Sequence, residues 1–357
     1  MQQNSIYKKA LYLAVPMMIQ NGITNAVSLV DNLMVGSLGT EKMTAVSIAG
    51  QLFFVFFLAV FGGLSGPGIY SAQYFGQGNK EGYQKIFRLK VWITALLTVV
   101  GVIVFLVGGE WLIGLYLKGS GGNLDAGLTL ESALSYLRIM LIGLVPFAIT
   151  QIYAGSLREM GESMKPMLAG LVSVVVDIVF NYFLIYGKFG FPRLEVKGAA
   201  IATVMARFAE MFVVIIWTHV EIEKYSFLKN VYRTLRISLQ EMMPVIIKGL
   251  PIFFNEFLWA GGMAVLTQCY SMKGLEVIAG LNISNAICNL LNVVFIAMGN
   301  AVGIIMGQFL GASKFEEAKK NANKLMWFTA MLCVGLTVIL IILSGVFPRA
   351  YNTTDEI

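Results

Sequence analysis

The chain has 357 residues, 57% hydrophobic and 13% charged, a balance too apolar for an ordinary soluble domain. The formal net charge of +6 is spread over short segments between apolar runs, which argues against a nucleic-acid partner and leaves the lipid bilayer as the expected one. One His and three Cys without a CxxC pair argue against a His-based triad or a Cys/His metal site.

Apolar runs of about 20 residues, the length that crosses the hydrocarbon core, fall at 10–34, 45–72, 88–116, 132–155, 166–187, 197–220, 240–270, 276–306 and 322–347, which predicts nine membrane-spanning helices. With the N-terminus cytoplasmic, the inside loops hold 17 Lys and Arg against 7 outside, as the positive-inside rule expects. The fold class is an all-α polytopic membrane protein.

The first span carries a carboxylate, Asp31, with Asn21, Asn25, Ser28 and Asn32 at helical spacing around it. A charge this deep in an apolar helix is costly and marks a functional position by default. In the second span, Gly62, Gly63, Gly66, Pro67 and Gly68 predict close packing or a kink. The fifth span sets Ser173, Asp177 and Asn181 four residues apart on one face, and the sixth adds Thr203 with an Arg207 and Glu210 ion pair at i and i+3. Together with Asp31 these form an acidic pocket for a proton or Na+, the metal ion falling at Asp31, Asp177 and Asn181. The competing reading of Asp177 and Asn181 is interhelical hydrogen bonding alone.

The seventh span carries Asn255, Glu256 and Trp259. The eighth carries Asn282, Asn285, Asn289 and Asn292 at steps of three, four and three, an amide stripe suited to lining a substrate cavity. No Walker sequence is present and no nucleophile, base and orienting group stand together, so the expectation is a protein that is not an enzyme and uses no cofactor beyond a coupling ion.

Placing Pro16 over Pro251 gives an offset of 235 (251 minus 16) that holds without a gap. It aligns Gly39 with Gly274, Gly68 with Gly303, Gln73 with Gln308, Gly76 with Gly311, Lys85 with Lys320 and Trp92 with Trp327. The chain therefore reads as a duplication. Residues 1–225 form a six-helix N-terminal lobe and 226–357 the first three helices of a C-terminal lobe, with roughly 90 further residues expected by the repeat. An even number of spans per copy gives the copies one orientation, with the substrate site between them. Across the offset, the amide stripe's counterparts are Ser47, Gly50, Phe54 and Phe57, so one half presents an amide wall and the other an aromatic one.

The runs VDNLMVGSLGTEKMTAVSIAGQ, QYFGQGN, NYFLIYGKFGFP and KGAAIATVMAR resemble the multidrug and toxic compound extrusion (MATE) family, and PIFFNEFLWAGG resembles the seventh helix of its Gram-positive bacterial members. The resemblance implies two six-helix lobes, here with a truncated second lobe, working as a monomer in the bacterial plasma membrane. It implies antiport of organic cations or other amphiphiles against Na+ or H+. By position, Asp31 matches the family's first-helix coupling acid, Thr203 a sixth-helix partner and Glu256 the seventh-helix glutamate. Asp177 then Asn181 stand where some members show Asn then Asp. The rival readings are an exporter of lipid-linked precursors and a non-functional truncated remnant.

Overall fold

The structure, a computed structural model, describes residues 3–117, 125–271 and 275–344, with side chains described in part at 3–5, 239, 257–290 and 340–344. Among the described residues the chain forms α1 (Gln3–Gly36), α2 (Thr40–Gln77), α3 (Lys80–Leu117), α4 (Ala126–Glu159), α5 (Met164–Tyr186), α6 (Val196–Val220), α7 (Leu239–Ser271), α8 (Leu275–Gly311) and α9 (Phe315–Ser344). A short turn of 3-10 helix, Val231–Arg233, precedes α7. Eight of these helices are long and apolar enough over the described residues to cross a membrane. The ninth, α7, carries Pro244, Lys248, Pro251 and Glu256 and is not among those eight.

Most helices outrun the apolar runs that predicted them. The second span, expected over 45–72, is a 38-residue helix over Thr40–Gln77, about 57 Å long at 1.5 Å per residue. A helix bonds its own backbone and has no need to stop at the headgroups, so polar ends such as QYFGQ continue it into water. Turns are short where the sequence supplies the chemistry. Gly78 ends α2 at φ 71°, and the Asn79 side chain accepts from Gly82 N at 2.9 Å to start α3. Asp125 Oδ1 accepts from the backbone N of Gly127 and Leu128 and caps α4.

The first six helices pack through α5 on α6, α4 on α6, α2 on α4, α2 on α3, α3 on α4 and α1 on α5. Phe53, Phe56, Phe105, Leu137, Leu144 and Val204 are buried in their common core. The later helices attach to this body: α7 and α8 lie chiefly on α2, α8 also on α1, and α9 on α8.

The attachment follows the repeat. A Cβ on Gly76 would stand 2.0 Å from the carbonyl O of Gln308, and one on Gly311 would stand 2.0 Å from that of Gln73. These four residues are the two aligned pairs of the duplication, so α2 and α8 cross reciprocally, each glycine admitting the other helix's backbone. A second meeting places Gly66 of α2 against Gly249 of α7, where a Cβ on Gly66 would lie 2.6 Å from the Gly249 Cα. Their repeat partners, Ala301 of α8 and Ala14 of α1, are fully buried where α1 packs on α8.

The segment between α6 and α7 is strapped to the first six helices. Gln84 Nε2, Arg88 Nε and Trp92 Nε1, four residues apart on α3, donate to the carbonyls of Lys229, Val231 and Leu235 at 2.8, 3.0 and 3.0 Å. Tyr225, Leu228 and Val231 are buried against Tyr83, Phe87 and Leu157. Lys165 is buried beneath the strap. It pairs with Glu221 at 2.5 Å and lies 5.0 and 4.9 Å from the Trp217 and Tyr225 ring centroids. At the opposite end, Lys42 before α2's apolar stretch bonds Glu195 ahead of α6.

Gly311→Val should push α8 off α2 and cost roughly 1–3 kcal/mol of stability, as overpacking does. Gly303→Ala, with no atom within 4 Å of the added Cβ, should leave the melting temperature unchanged or raised. Thermal melting of the purified variants in detergent checks both. The Lys42 ammonium holds the Glu195 carboxyl below its ordinary 4.5, so this pair stabilises the fold above that pH and is lost as pH falls through the lowered value. Lys42→Met should therefore narrow the loss of melting temperature on acidification, measured from neutral pH downward.

Candidate ion and cargo site

Four helices bring polar side chains to one place in the first body. The α5 face spaced by four residues buries Ser173, Asp177 and Asn181, at 7%, 8% and 1% exposure. Asp31 reaches it from α1, and Asn181 Nδ2 donates to Asp31 Oδ1 at 2.9 Å. The carboxyl groups of Asp31 and Asp177 lie within hydrogen-bonding reach of each other. Thr203 of α6 and Tyr136 of α4 bring hydroxyl groups to the same place, beside Asp177. Asp177 Oδ1 and Asn181 Oδ1 are buried with no hydrogen-bond partner. Two carboxyl groups side by side thus keep two acceptor oxygens without a donor. Among the described residues no group of three or more His, Cys, Asp and Glu gathers anywhere, so a cation here would meet two carboxyls, an amide and hydroxyls.

Arg207, one turn past Thr203, forms the expected pair with Glu210 at 3.5 Å. It does more than that. Its guanidinium lies 5.7 Å from the Phe57 ring centroid and 5.2 Å from that of Phe147, and it interacts with Asp177. The two rings, 4.3 Å apart, line a cavity of about 210 Å³ with Phe54, Leu58, Phe61 and Gln151. The aromatic wall expected at Phe54 and Phe57 is thus present and adjoins the acid cluster through Arg207.

The second-copy residues are not joined to that cluster by any hydrogen bond among the described residues. Glu256 is half-buried, its Cγ 3.5 Å from where a Cβ of Gly62 would stand, so it faces α2. Asn255, Trp259, Asn289 and Asn292 are exposed, as is Asn25 on α1. Asn282 and Asn285 lie outside the residues whose side chains are described.

A second buried network lies at the other end of the body and was not anticipated. Lys90 of α3, 1% exposed, pairs with Glu159 of α4 and donates to Ser156 Oγ at 3.3 Å. The Glu159 carbonyl accepts from Gln308 Nε2 at 2.7 Å, and Gln308 Oε1 accepts from Lys9 Nζ at 2.9 Å. Nearby, Arg158 Nη2 donates to Gln20 Oε1 at 2.8 Å. The network spans α1, α3, α4 and α8 beside the Gly76 and Gly311 crossing. The aligned Gln73 and Gln308 were the one sequence signal for it; Lys90, Arg158 and Glu159 look in sequence like ordinary helix-end charges. Tyr136 gave no signal at all, being an unremarked ring in an apolar span.

The MatE family model matches the sequence twice, over residues 16–183 and 251–357, beginning at the two prolines that set the repeat. The chain belongs to the MatE family. It is 25% identical over 354 residues to YoeA of Bacillus subtilis (strain 168), described as a probable multidrug resistance protein, covering 99% of this chain and 75% of that one. It is 26% identical over 350 residues to NorM of Synechocystis sp. (strain ATCC 27184 / PCC 6803 / Kazusa), described in the same words, covering 96% and 71%. Among solved structures, a MOP superfamily transporter from Pyrococcus furiosus superposes with TM-score 0.82 at 20% identity, covering 98% of this chain and 75% of that one. A multidrug resistance MATE family transporter described as outward-facing gives 0.80 at 21% identity, covering 97% and 74%. This family chain is thus a multi-pass helical membrane protein whose fold is shared with those transporters.

Lys90→Met should destabilise the protein by roughly 3–5 kcal/mol, because it strands the buried Glu159 carboxyl. The double variant Lys90→Met with Glu159→Gln should recover most of that loss. Melting temperatures of the three proteins in detergent check the cycle; equal losses in the single and double variants would contradict it.

Proposed function

We propose that this chain is a secondary transporter that exports lipophilic organic cations or other amphiphiles in exchange for Na+ or H+. The observation that carries the reading is the adjoining carboxyls of half-buried Asp31 and buried Asp177, with the Asp177 and Asn181 oxygens left without a partner, a site that calls for a small cation or a proton. The drug-resistance descriptions of the relatives support the class of cargo. In this reading residues 1–225 and 226–357 act as two lobes in a bacterial plasma membrane with the N-terminus cytoplasmic. The helices close on each other at the Lys9, Glu159 and Gln308 end, while Leu33, Phe54, Leu258 and Trp259 stand exposed toward the other. We take that closed end to be the cytoplasmic one.

The coupling follows from charge. Cargo binds beside Phe57 and Phe147, with Glu256 and the amide stripe on the facing wall. An entering Na+ or H+ neutralises the acid pair, Asn181 lets go of Asp31, and Arg207 shifts its balance between Asp177 and Glu210. Cargo loses its counter-charge and leaves. One charge entering across the membrane supplies about 2.3 kcal/mol per 100 mV. Export of a lipid-linked phosphate would need a cavity rich in donors, and the leftover oxygens here are acceptors.

Ethidium efflux from proteoliposomes carrying the 357-residue chain, driven in turn by a Na+ gradient and a pH gradient, tests the proposal. Asp31→Asn should abolish gradient-driven efflux, and Asn181→Ala should lower it at least about tenfold, the effect of losing roughly 1.4 kcal/mol at the ion. Unimpaired efflux in Asp31→Asn would sink the reading.

A further inference from the structure

One face of α4 has no place in the transport site. Leu128, Glu131, Ser135, Arg138, Ile142 and Val145 follow one another at steps of three and four, so they form a single stripe. Leu128, Ile142 and Val145 are 43%, 59% and 51% exposed, which makes this the lipid-facing stripe of a membrane helix. Phe147, on the aromatic cavity, is nine residues from Arg138, two and a half turns, and therefore on the opposite face. Arg138 sits about 18 Å along α4 from its first residue, one turn from exposed Ile142. A guanidinium there is costly unless something anionic meets it.

Arg138 opens onto a crevice of about 650 Å³ between the starts of α4 and α6. Leu130, Leu134 and Ile139 give it an apolar floor; Glu131, Arg138 and Lys197 give it a polar rim with one positive charge in excess. Arg138, Lys197 and Glu131 are all exposed, and the side chains of the three enter no hydrogen bond or ion pair among the described residues. Two free cations on the rim of an apolar crevice, in the lipid-facing wall, match one kind of ligand.

We propose that this crevice binds a phospholipid with an anionic headgroup. The phosphodiester takes the Arg138 fork and the Lys197 ammonium, both of which can rise toward the headgroup level on their flexible stems. An acyl chain lies along Leu130, Leu134 and Ile139. Free phosphate supplies the charge but leaves the apolar floor empty, so the lipid is the ligand.

Native mass spectrometry of the purified full chain with added phosphatidylglycerol or phosphatidylcholine tests the site. Wild type should retain phosphatidylglycerol over phosphatidylcholine, and Arg138→Gln with Lys197→Gln should remove that preference, at about fivefold per basic residue. Arg138→Lys should keep most of it, and Glu131→Gln should increase it. Lys319→Gln with Lys320→Gln, exposed on α9, should change nothing. Equal retention of the two lipids by wild type, an undiminished preference in the double Gln variant, or the same loss in the α9 variant overturns the proposal. Displacement of the lipid by millimolar inorganic phosphate also overturns it.

Discussion

A charge inside hydrocarbon must be answered by a partner, and much of this structure is arranged around that demand. Asp177 is buried and Asp31 half-buried where α1, α4, α5 and α6 meet, with amide and hydroxyl groups around them. Lys90 and Glu159 answer each other deep between α3 and α4. The two solutions differ in kind. The lysine and glutamate pair is complete, with its neighbours Ser156 and Tyr83 also bonded. The aspartate pair instead leaves the Asp177 and Asn181 oxygens without a partner.

Close backbone approach is the second constraint. Lipid tails give helices no hydrophobic reason to associate, so small residues decide where they meet. Gly76 and Gly311 admit carbonyls that any side chain would block, and Gly66 with Gly249 does the same one helix further on. Because these meetings lie near one end, they fix which end of the assembly is shut. The aromatic cavity and the acid cluster lie further along the same helices.

The apolar runs made the helices and their order legible, and the residues aligned by the ungapped offset prove to be those that meet at the α2 and α8 crossing. Asp31, Asp177, Asn181 and Thr203 could be grouped from sequence because helical spacing puts α5 residues on one face and because polar groups in apolar spans are few. Tyr136 was invisible, since a tyrosine in a hydrophobic run carries no mark of where its hydroxyl points. Arg207 was read through its nearest sequence neighbour, Glu210, whereas its ring partners come from α2 and α4, 150 and 60 residues away. Lys90 and Lys165 carry no sequence mark of burial, being charges at span ends; tertiary packing covers each with a carboxylate that is remote in sequence.

The crossing of α2 and α8 is isologous: each side offers a glycine and receives a glutamine carbonyl from the other. A polypeptide made of one copy would carry both halves of this contact on its second helix, so two such polypeptides would mate through it about a two-fold axis. Joining the copies in one chain removes the concentration dependence of that association. It also frees each copy to change alone, so that Ser47, Gly50, Phe54 and Phe57 stand in one copy where Asn282, Asn285, Asn289 and Asn292 stand in the other.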